Sequence, residues 1–231
     1  MSKNLFRAAV VAAAAAAAAA VVAVFGAAPA LADEVAYNVG VTNNYVFRGL
    51  TQTDKDFAVQ GGVDFSTDSG FYAGAWASNV DFGDGTDAEV DLYGGYKTEA
   101  GGFAFDFGVV AYTYVGAPAG VSYDNVELKA AASRAFGPAT IGGAVYYSPD
   151  SWGVDNESVY WELNGAYTVS DKISLSGAVG RQTFDPGSDY TTWNVGGTYA
   201  LTDKLGLDLR YHDTNLHGYD DAFVVSLKAA F

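Results

Sequence analysis

From Val35 to Phe231 the chain alternates apolar with polar or small residues at a period of two. Residues 220–231 are the plainest case. Phe223, Val225, Leu227, Ala229 and Phe231 fall on one face, and Ala222, Val224, Ser226, Lys228 and Ala230 on the other. Successive side chains of an extended strand point to opposite faces, so this pattern predicts strands with one apolar side. Phe103, Phe105, Phe107 and Val109 alternate in the same way with Ala104, Asp106 and Gly108. Val159, Trp161, Leu163 and Tyr167 alternate with Tyr160, Glu162 and Asn164, and Leu205, Leu207, Leu209 and Tyr211 with Gly206, Asp208, Arg210 and His212. In residues 71–80, Tyr72 and Trp76 oppose Phe71, Ala73 and Ala75, and the facing stays open.

The breaks between these segments are of two kinds. Short ones fall at residues 67–70, 99–102, 135–138, 170–172 and 202–204, where Gly, Pro and Asp supply turn chemistry. Longer polar ones fall near residues 49–56, 80–87, 115–123, 148–157, 183–190 and 213–220. Strict alternation of short and long connections predicts an all-β, up-and-down antiparallel barrel with turns at one end and loops at the other. The count is about twelve strands, an even number as bacterial single-chain barrels have, with both termini on the short-turn, periplasmic side. Charged series oppose apolar ones in each strand, and a strand in lipid must pair its backbone groups within a closed sheet. The expected barrel is therefore transmembrane, apolar outside and polar within. Two aromatic girdles support this: Tyr37, Phe65, Phe71, Tyr96, Phe103, Tyr167, Tyr199 and Phe231 near the turns, and Tyr45, Phe47, Phe57, Tyr147, Trp193, Tyr211 and Phe223 near the loops.

Composition adds a leader and a charge. Lys3 and Arg7 precede an apolar run from Ala8 to Phe25, followed by Ala30-Leu31-Ala32, a small-x-small cleavage pattern. Residues 1–32 read as a cleaved signal peptide and 33–231 as the barrel. The apolar run is also about long enough for an anchor helix, but the charge placement and cleavage site favour the leader. Of 231 residues with net charge -15, the mature part keeps 10 Lys+Arg against 27 Asp+Glu, or -17. So acidic a chain excludes nucleic acid as partner. The expected surroundings are the outer membrane of a Gram-negative bacterium, with its lipid, lipopolysaccharide and barrel-assembly machinery as partners.

On these parities the lumen holds Asp64, Asp87, Glu89, Asp91, Asp106, Glu127, Glu162 and Asp208 with Arg48, Lys97, Lys129, Arg210 and Lys228, plus His212. An aqueous channel for small polar or cationic solutes is one reading of this wall; a closed barrel whose charges pair across the lumen is the other. Acidic clusters in or beside the outer loops are Asp81, Asp84 and Asp87; Asp150, Asp155 and Glu157; and Asp213, Asp220 and Asp221. They are solvated loop charge or ligands for Ca²⁺ or Mg²⁺ bridging lipopolysaccharide, and none has EF-hand spacing. No enzyme is expected and no cofactor is called for. His212 and His217 have no serine placed beside them as a nucleophile, and there is no phosphate loop or Cys/His metal set. The paired glycines at 61–62, 94–95, 101–102, 142–143 and 196–197 read as relief of crowding in a curved wall.

A family resemblance rests on Tyr45-Val46-Phe47-Arg48-Gly49-Leu50-Thr51-Gln52-Thr53, Gln60-Gly61-Gly62, Gly70-Phe71-Tyr72-Ala73-Gly74, Trp76-Ala77-Ser78-Asn79-Val80 and Asp91-Leu92-Tyr93-Gly94-Gly95-Tyr96. With these the chain resembles the TorF-type porins of proteobacteria, also called Gcw_chp proteins, which implies an outer-membrane location and a pore. The resemblance supplies no solute and no catalytic residue. Arg48, read as the end of the first strand, is either a selectivity or loop-anchoring group meeting an inward carboxylate such as Asp64 or Glu89, or an exposed loop cation. Phe231 resembles the terminal aromatic by which outer-membrane barrels are recognised for assembly. Deleting Phe231 is expected to lower outer-membrane levels more than folded stability; unchanged levels of the truncated chain would count against that role.

Overall fold

The computed structural model describes residues 34–151 and 156–231; the leader lies outside the described residues. Fourteen strands follow one another: β1 (Glu34–Thr42), β2 (Val46–Phe47), β3 (Leu50–Thr51), β4 (Ala58–Ser66), β5 (Phe71–Asn79), β6 (Ala88–Ala100) and β7 (Phe103–Val115), then β8 (Asn125–Phe136), β9 (Ala139–Ser148), β10 (Glu157–Ser170), β11 (Ile173–Asp185), β12 (Tyr190–Ala200), β13 (Leu205–Thr214) and β14 (Ala222–Ala230). Twelve of them form a closed antiparallel barrel in the order β1-β14-β13-β12-β11-β10-β9-β8-β7-β6-β5-β4. Only β2 and β3 stand apart, as a two-stranded sheet of their own.

Each neighbouring pair in the ring is antiparallel and consecutive in sequence except at the seam, where β1 takes both β4 and β14 as partners. The final strand runs from Asn38 opposite Ala230 to Thr42 opposite Ser226. Phe231 completes it, donating its N–H to the Tyr37 carbonyl at 2.9 Å and accepting from the Tyr37 N–H at 3.1 Å. Closure leaves none of the twelve barrel strands with an unpaired edge, the condition that a barrel in hydrocarbon must meet. The connections alternate as expected, and both described ends lie at the short-turn end.

Facing follows the period-two pattern. Val35, Leu92, Phe107, Leu128, Leu163 and Phe223 are all exposed on the outer wall. An apolar exterior of this extent is one that lipid covers. The undecided strand is settled: Tyr72 and Trp76 of β5 point inward, Tyr72 to Asp106 of β7 and Trp76 onto a buried cluster, while Phe71 is exposed outside.

Two expectations need correcting. The first strand ends at Thr42, so residues 43–57 form the first long connection, and Tyr45 and Phe47 are buried inside the barrel and belong to no girdle. Asp87 precedes β6 and is exposed at the loop end, outside the lumen wall. Leu163 lies mid-strand on the outer wall and is 56% exposed. Leu163→Arg is expected to cost roughly 2–4 kcal/mol in urea unfolding from lipid vesicles, whereas Val121→Arg in a long loop should cost under about 0.5 kcal/mol.

Candidate functional site: a hairpin seated across the lumen

The first long connection turns inward. Val46 and Phe47 pair with Thr51 and Leu50, leaving Arg48 and Gly49 as a two-residue turn. Both have positive φ, 44° and 82°, which identifies the mirror-image turn that matches strand twist in tight hairpins. Glycine fits such a backbone freely, and here it also fits the space: a Cβ on Gly49 would lie 2.5 Å from Thr192 Oγ1 on β12. Arginine in the left-handed region costs about 1–2 kcal/mol. Its side chain shows what offsets the cost.

The Arg48 guanidinium donates to both carboxylate oxygens of Glu127 on β8, at 2.8 and 2.7 Å, and to Gln182 Oε1 on β11 at 2.9 Å. It lies 5.1 Å from the Tyr146 ring centroid on β9, 4.1 Å from that of Tyr160 on β10 and 4.6 Å from that of Phe47. Glu127 also accepts from the Tyr112 hydroxyl at 2.9 Å. In the ring of twelve, β9 and β10 stand opposite the junction of β1 and β4 from which the hairpin springs. The hairpin therefore crosses the whole lumen. Arg48 is an anchor, as one reading of the sequence had it, but its carboxylate is Glu127; Asp64 and Glu89 are engaged elsewhere.

At its root the hairpin is held by its own polar groups. Thr51 Oγ1 donates to Asn44 Oδ1 at 2.6 Å, Thr53 Oγ1 to the Asp56 carbonyl at 2.6 Å, and the Gln52 N–H to the Tyr45 carbonyl at 2.7 Å. Tyr45 packs edge-on against Trp76, with ring centroids 5.5 Å apart, and Phe47, Leu50 and Tyr190 join the same cluster. Outside, Lys55 pairs with Asp220 at 2.8 Å in full solvent, and the hydrogen bond and charge of Lys55 hold the Asp220 carboxyl below its ordinary range. Screening makes that exposed contact weak beside the buried one.

Along β6 and β8 the inner wall runs from buried at the loop end, under the hairpin, to more exposed toward the short-turn end. Along the inward face of β6, Glu89 and Asp91 are buried, Tyr93 is half-buried and Lys97 is exposed. On β8, Asn125 and Glu127 are buried and Lys129 is half-buried. Toward the short-turn end Lys129 pairs with Asp106 at 2.7 Å, the Tyr72 hydroxyl donates to Asp106 at 2.7 Å, and Lys97 lies over the Tyr72 ring. Asp64 accepts from the Tyr93 hydroxyl at 2.5 Å and from Asn38. Glu162 accepts from Tyr160 and Asn164. Arg210 bridges Asp208, Asn194 and Ser176, while Lys228 faces Gly40 across the seam. Two inward tyrosines lie flat over glycines of the adjacent strand: a Cβ on Gly74 or Gly180 would overlap the ring of Tyr93 or Tyr160.

Sequence reasoning placed these inward carboxylates and bases on their strands but missed the hairpin, and with it Gln182, Tyr146 and Tyr190 as its seat. A signal was present: Val46, Phe47 and Leu50 are apolar on both faces of the segment, which suits burial on both sides better than a wall between lipid and water. The loop acids do local work. Asp81 Oδ1 takes the Gly83 N–H, and Asp84 takes the Thr86 N–H and the Tyr123 hydroxyl. Among the described residues no three such groups converge as metal ligands, and Asp155 lies outside them.

The family described as "Bacterial protein of unknown function (Gcw_chp)" matches residues 26–230. The chain belongs to the Gcw_chp family. No curated protein sequence matches it. Among solved structures this Gcw_chp chain is similar to the KdgM porin, with a TM-score of 0.61 and 9% identity over 85% of this chain and 98% of that one. A KdgM structure in complex with disordered oligogalacturonate matches with the same values. It is also similar to the COG4313 outer membrane channel from Pseudomonas putida F1 (TM-score 0.53, 15% identity, 89% and 97% covered) and to the NanC porin (0.53, 10%, 85% and 98%). At these identities the likeness is one of fold. The Gcw_chp chain thus shares the closed-barrel fold of these proteins, with a hairpin across it.

Glu127→Ala leaves the Arg48 charge buried alone and is expected to cost about 3–5 kcal/mol in urea unfolding. Replacing both residues, Arg48→Met with Glu127→Leu, should recover most of that loss, while Lys55→Ala at the exposed pair should leave the midpoint unchanged.

Proposed function

We propose that the barrel is an outer-membrane channel for passive diffusion of small polar solutes, narrowed at the loop end by the seated hairpin. The observation that carries this reading is the inner wall of β6 and β8, whose polar side chains grow more exposed from the loop end toward the short-turn end, below a segment that is only non-covalently seated. The naming of TorF-type proteins as porins agrees with it. In this reading the short turns and both ends of the barrel face the periplasm, the loops face outward toward lipopolysaccharide, and the barrel-assembly machinery reads the strand ending in Phe231.

Charge selects the solute. Asp54, Asp56, Asp81, Asp84, Asp87, Asp213 and Asp221 lie at the loop end, where Lys55 with Asp220 and Arg181 with Asp189 form exposed ion pairs. An acidic mouth raises the local concentration of cations and repels anions. KdgM has been solved with oligogalacturonate, a polyanion; this mouth suits neutral or cationic solutes. Diffusion through such a pore needs no chemical step, and no reaction is assigned to the barrel.

One feature favours a second reading, a closed structural or surface-interaction barrel: Phe47 and Leu50 are packed as tightly as a protein core. Planar-bilayer recording separates the two. Replacing residues 44–53 with a glycine-serine linker is expected to give step conductance above that of the native chain, with cation selectivity. No conductance from either protein would overturn the channel reading.

A further inference from the structure

Beside the hairpin root, β6 carries two buried carboxyl groups. Glu89 is 0% exposed and Asp91 2%. They lie two residues apart on the same inward face, and their side chains interact. Among the described residues neither is in an ion pair. Glu89 Oε1 accepts from the Tyr114 hydroxyl at 3.2 Å, but Glu89 Oε2 and Asp91 Oδ1 are buried with no donor at all.

Every neighbour fails to supply a positive charge. On β5, Ser78 and Trp76 stand beside Glu89 and Asp91; on β7, Tyr114 and Tyr112 do. The Tyr112 hydroxyl is spent on Glu127 of β8, which is itself neutralised by Arg48. Tyr93, the next inward residue of β6, donates to Asp64. From the hairpin comes the phenol of Tyr45, against Glu89. Two adjacent carboxylates in a space closed to water cannot both stay ionised. One proton on the pair would make one carboxyl a donor and leave the other an acceptor, which is what unpartnered oxygens on adjacent carboxyls call for.

We propose that Glu89 and Asp91 form a carboxyl–carboxylate latch, which seats the hairpin while the pair holds one proton and releases it when that proton is lost. The proposal rests on the channel reading and gives that channel its regulation. Withdrawing the hairpin removes Tyr45 and admits water to the pair. Both carboxyls are then ionised above about pH 5, as ordinary acids are in water. Closing therefore takes up one proton and opening gives it back. The sign follows: the closed form is favoured in full below the ordinary carboxylate range and loses ground as pH rises, by up to tenfold in the closed-to-open ratio per pH unit for one linked proton. Glu127 differs from the pair in having a guanidinium on both of its oxygens.

The test is open probability in planar bilayers from pH 6 to 8.5 for the full chain, the Glu89→Gln/Asp91→Asn variant and the protein with residues 44–53 replaced by a linker. The native channel is expected to open more with rising pH, at up to tenfold per unit. The amide variant, which keeps hydrogen bonding without a titrating proton, should stay flat. The linker protein should conduct at every pH. A native channel that is flat while the linker protein conducts would overturn the latch and leave the channel intact, and so would an amide variant with an unchanged pH response. Silence from both the native and the linker protein would sink the channel reading itself, and silence from the linker protein alone would overturn the latch. If the amide variant fails to fold, Asp91→Asn alone serves, and an unaltered pH response in it would equally overturn the latch.

Discussion

A guanidinium carried on a two-residue turn to the far wall of a barrel, away from bulk water, is tolerable only where a carboxylate waits for it. Arg48 meets that condition through both oxygens of Glu127, with Gln182 taking a further N–H and aromatic faces of Tyr146 and Tyr160 packed around it. Either charge left alone there would be costly. That constraint fixes the depth and direction of the hairpin, and the rest of the loop end is arranged to suit it. Trp76 turns inward because Tyr45 needs a surface, and Gly49 is required because β12 leaves no room for a Cβ.

The outer wall obeys a separate rule. Its twelve strands satisfy their backbone groups by closing on themselves, and their outward side chains are those that lipid accepts. The two requirements meet along each strand, where alternate residues answer to lipid and to the lumen. Glycines let the inner layer fit: Tyr93 lies over Gly74 and, at the loop end beneath Arg48, Tyr160 over Gly180, so large rings lie flat against the wall. Toward the short-turn end polar groups range from the exposed Lys97 through the half-buried Lys129, paired with Asp106, to the buried Asp208, paired with Arg210, whereas Glu89, Asp91 and Glu127 under the hairpin are sealed.

Much of this was legible in the sequence because period-two alternation is a local signal. The faces of β7, β10, β13 and β14, the alternation of turns with loops and the inward placement of Asp106, Glu162, Asp208 and Arg210 all follow from it. What was not legible is what depends on contact between distant residues. Residues 45–51 alternate well enough to extend the first strand, and only their apolar character on both faces hints at burial. The partner of Arg48 lies 79 residues away on the opposite side of the ring, and nothing local selects Glu127 over Asp64 or Glu89. The facing of β5 stayed open for the same reason, since Trp76 is inward only because the hairpin is there to meet it.

The central claim is that residues 44–53 are seated across the lumen of the barrel in its membrane, and the absence of native cysteine makes it directly measurable. Leu50 is 0% exposed and Phe57, in the same connection, is 74% exposed. Leu50→Cys and Phe57→Cys would each be treated in intact cells with a membrane-impermeant maleimide. The account predicts fast labelling at position 57 and protection at position 50 that is lost on unfolding. Equal, fast labelling at both positions would contradict it, for the hairpin would then lie in solvent.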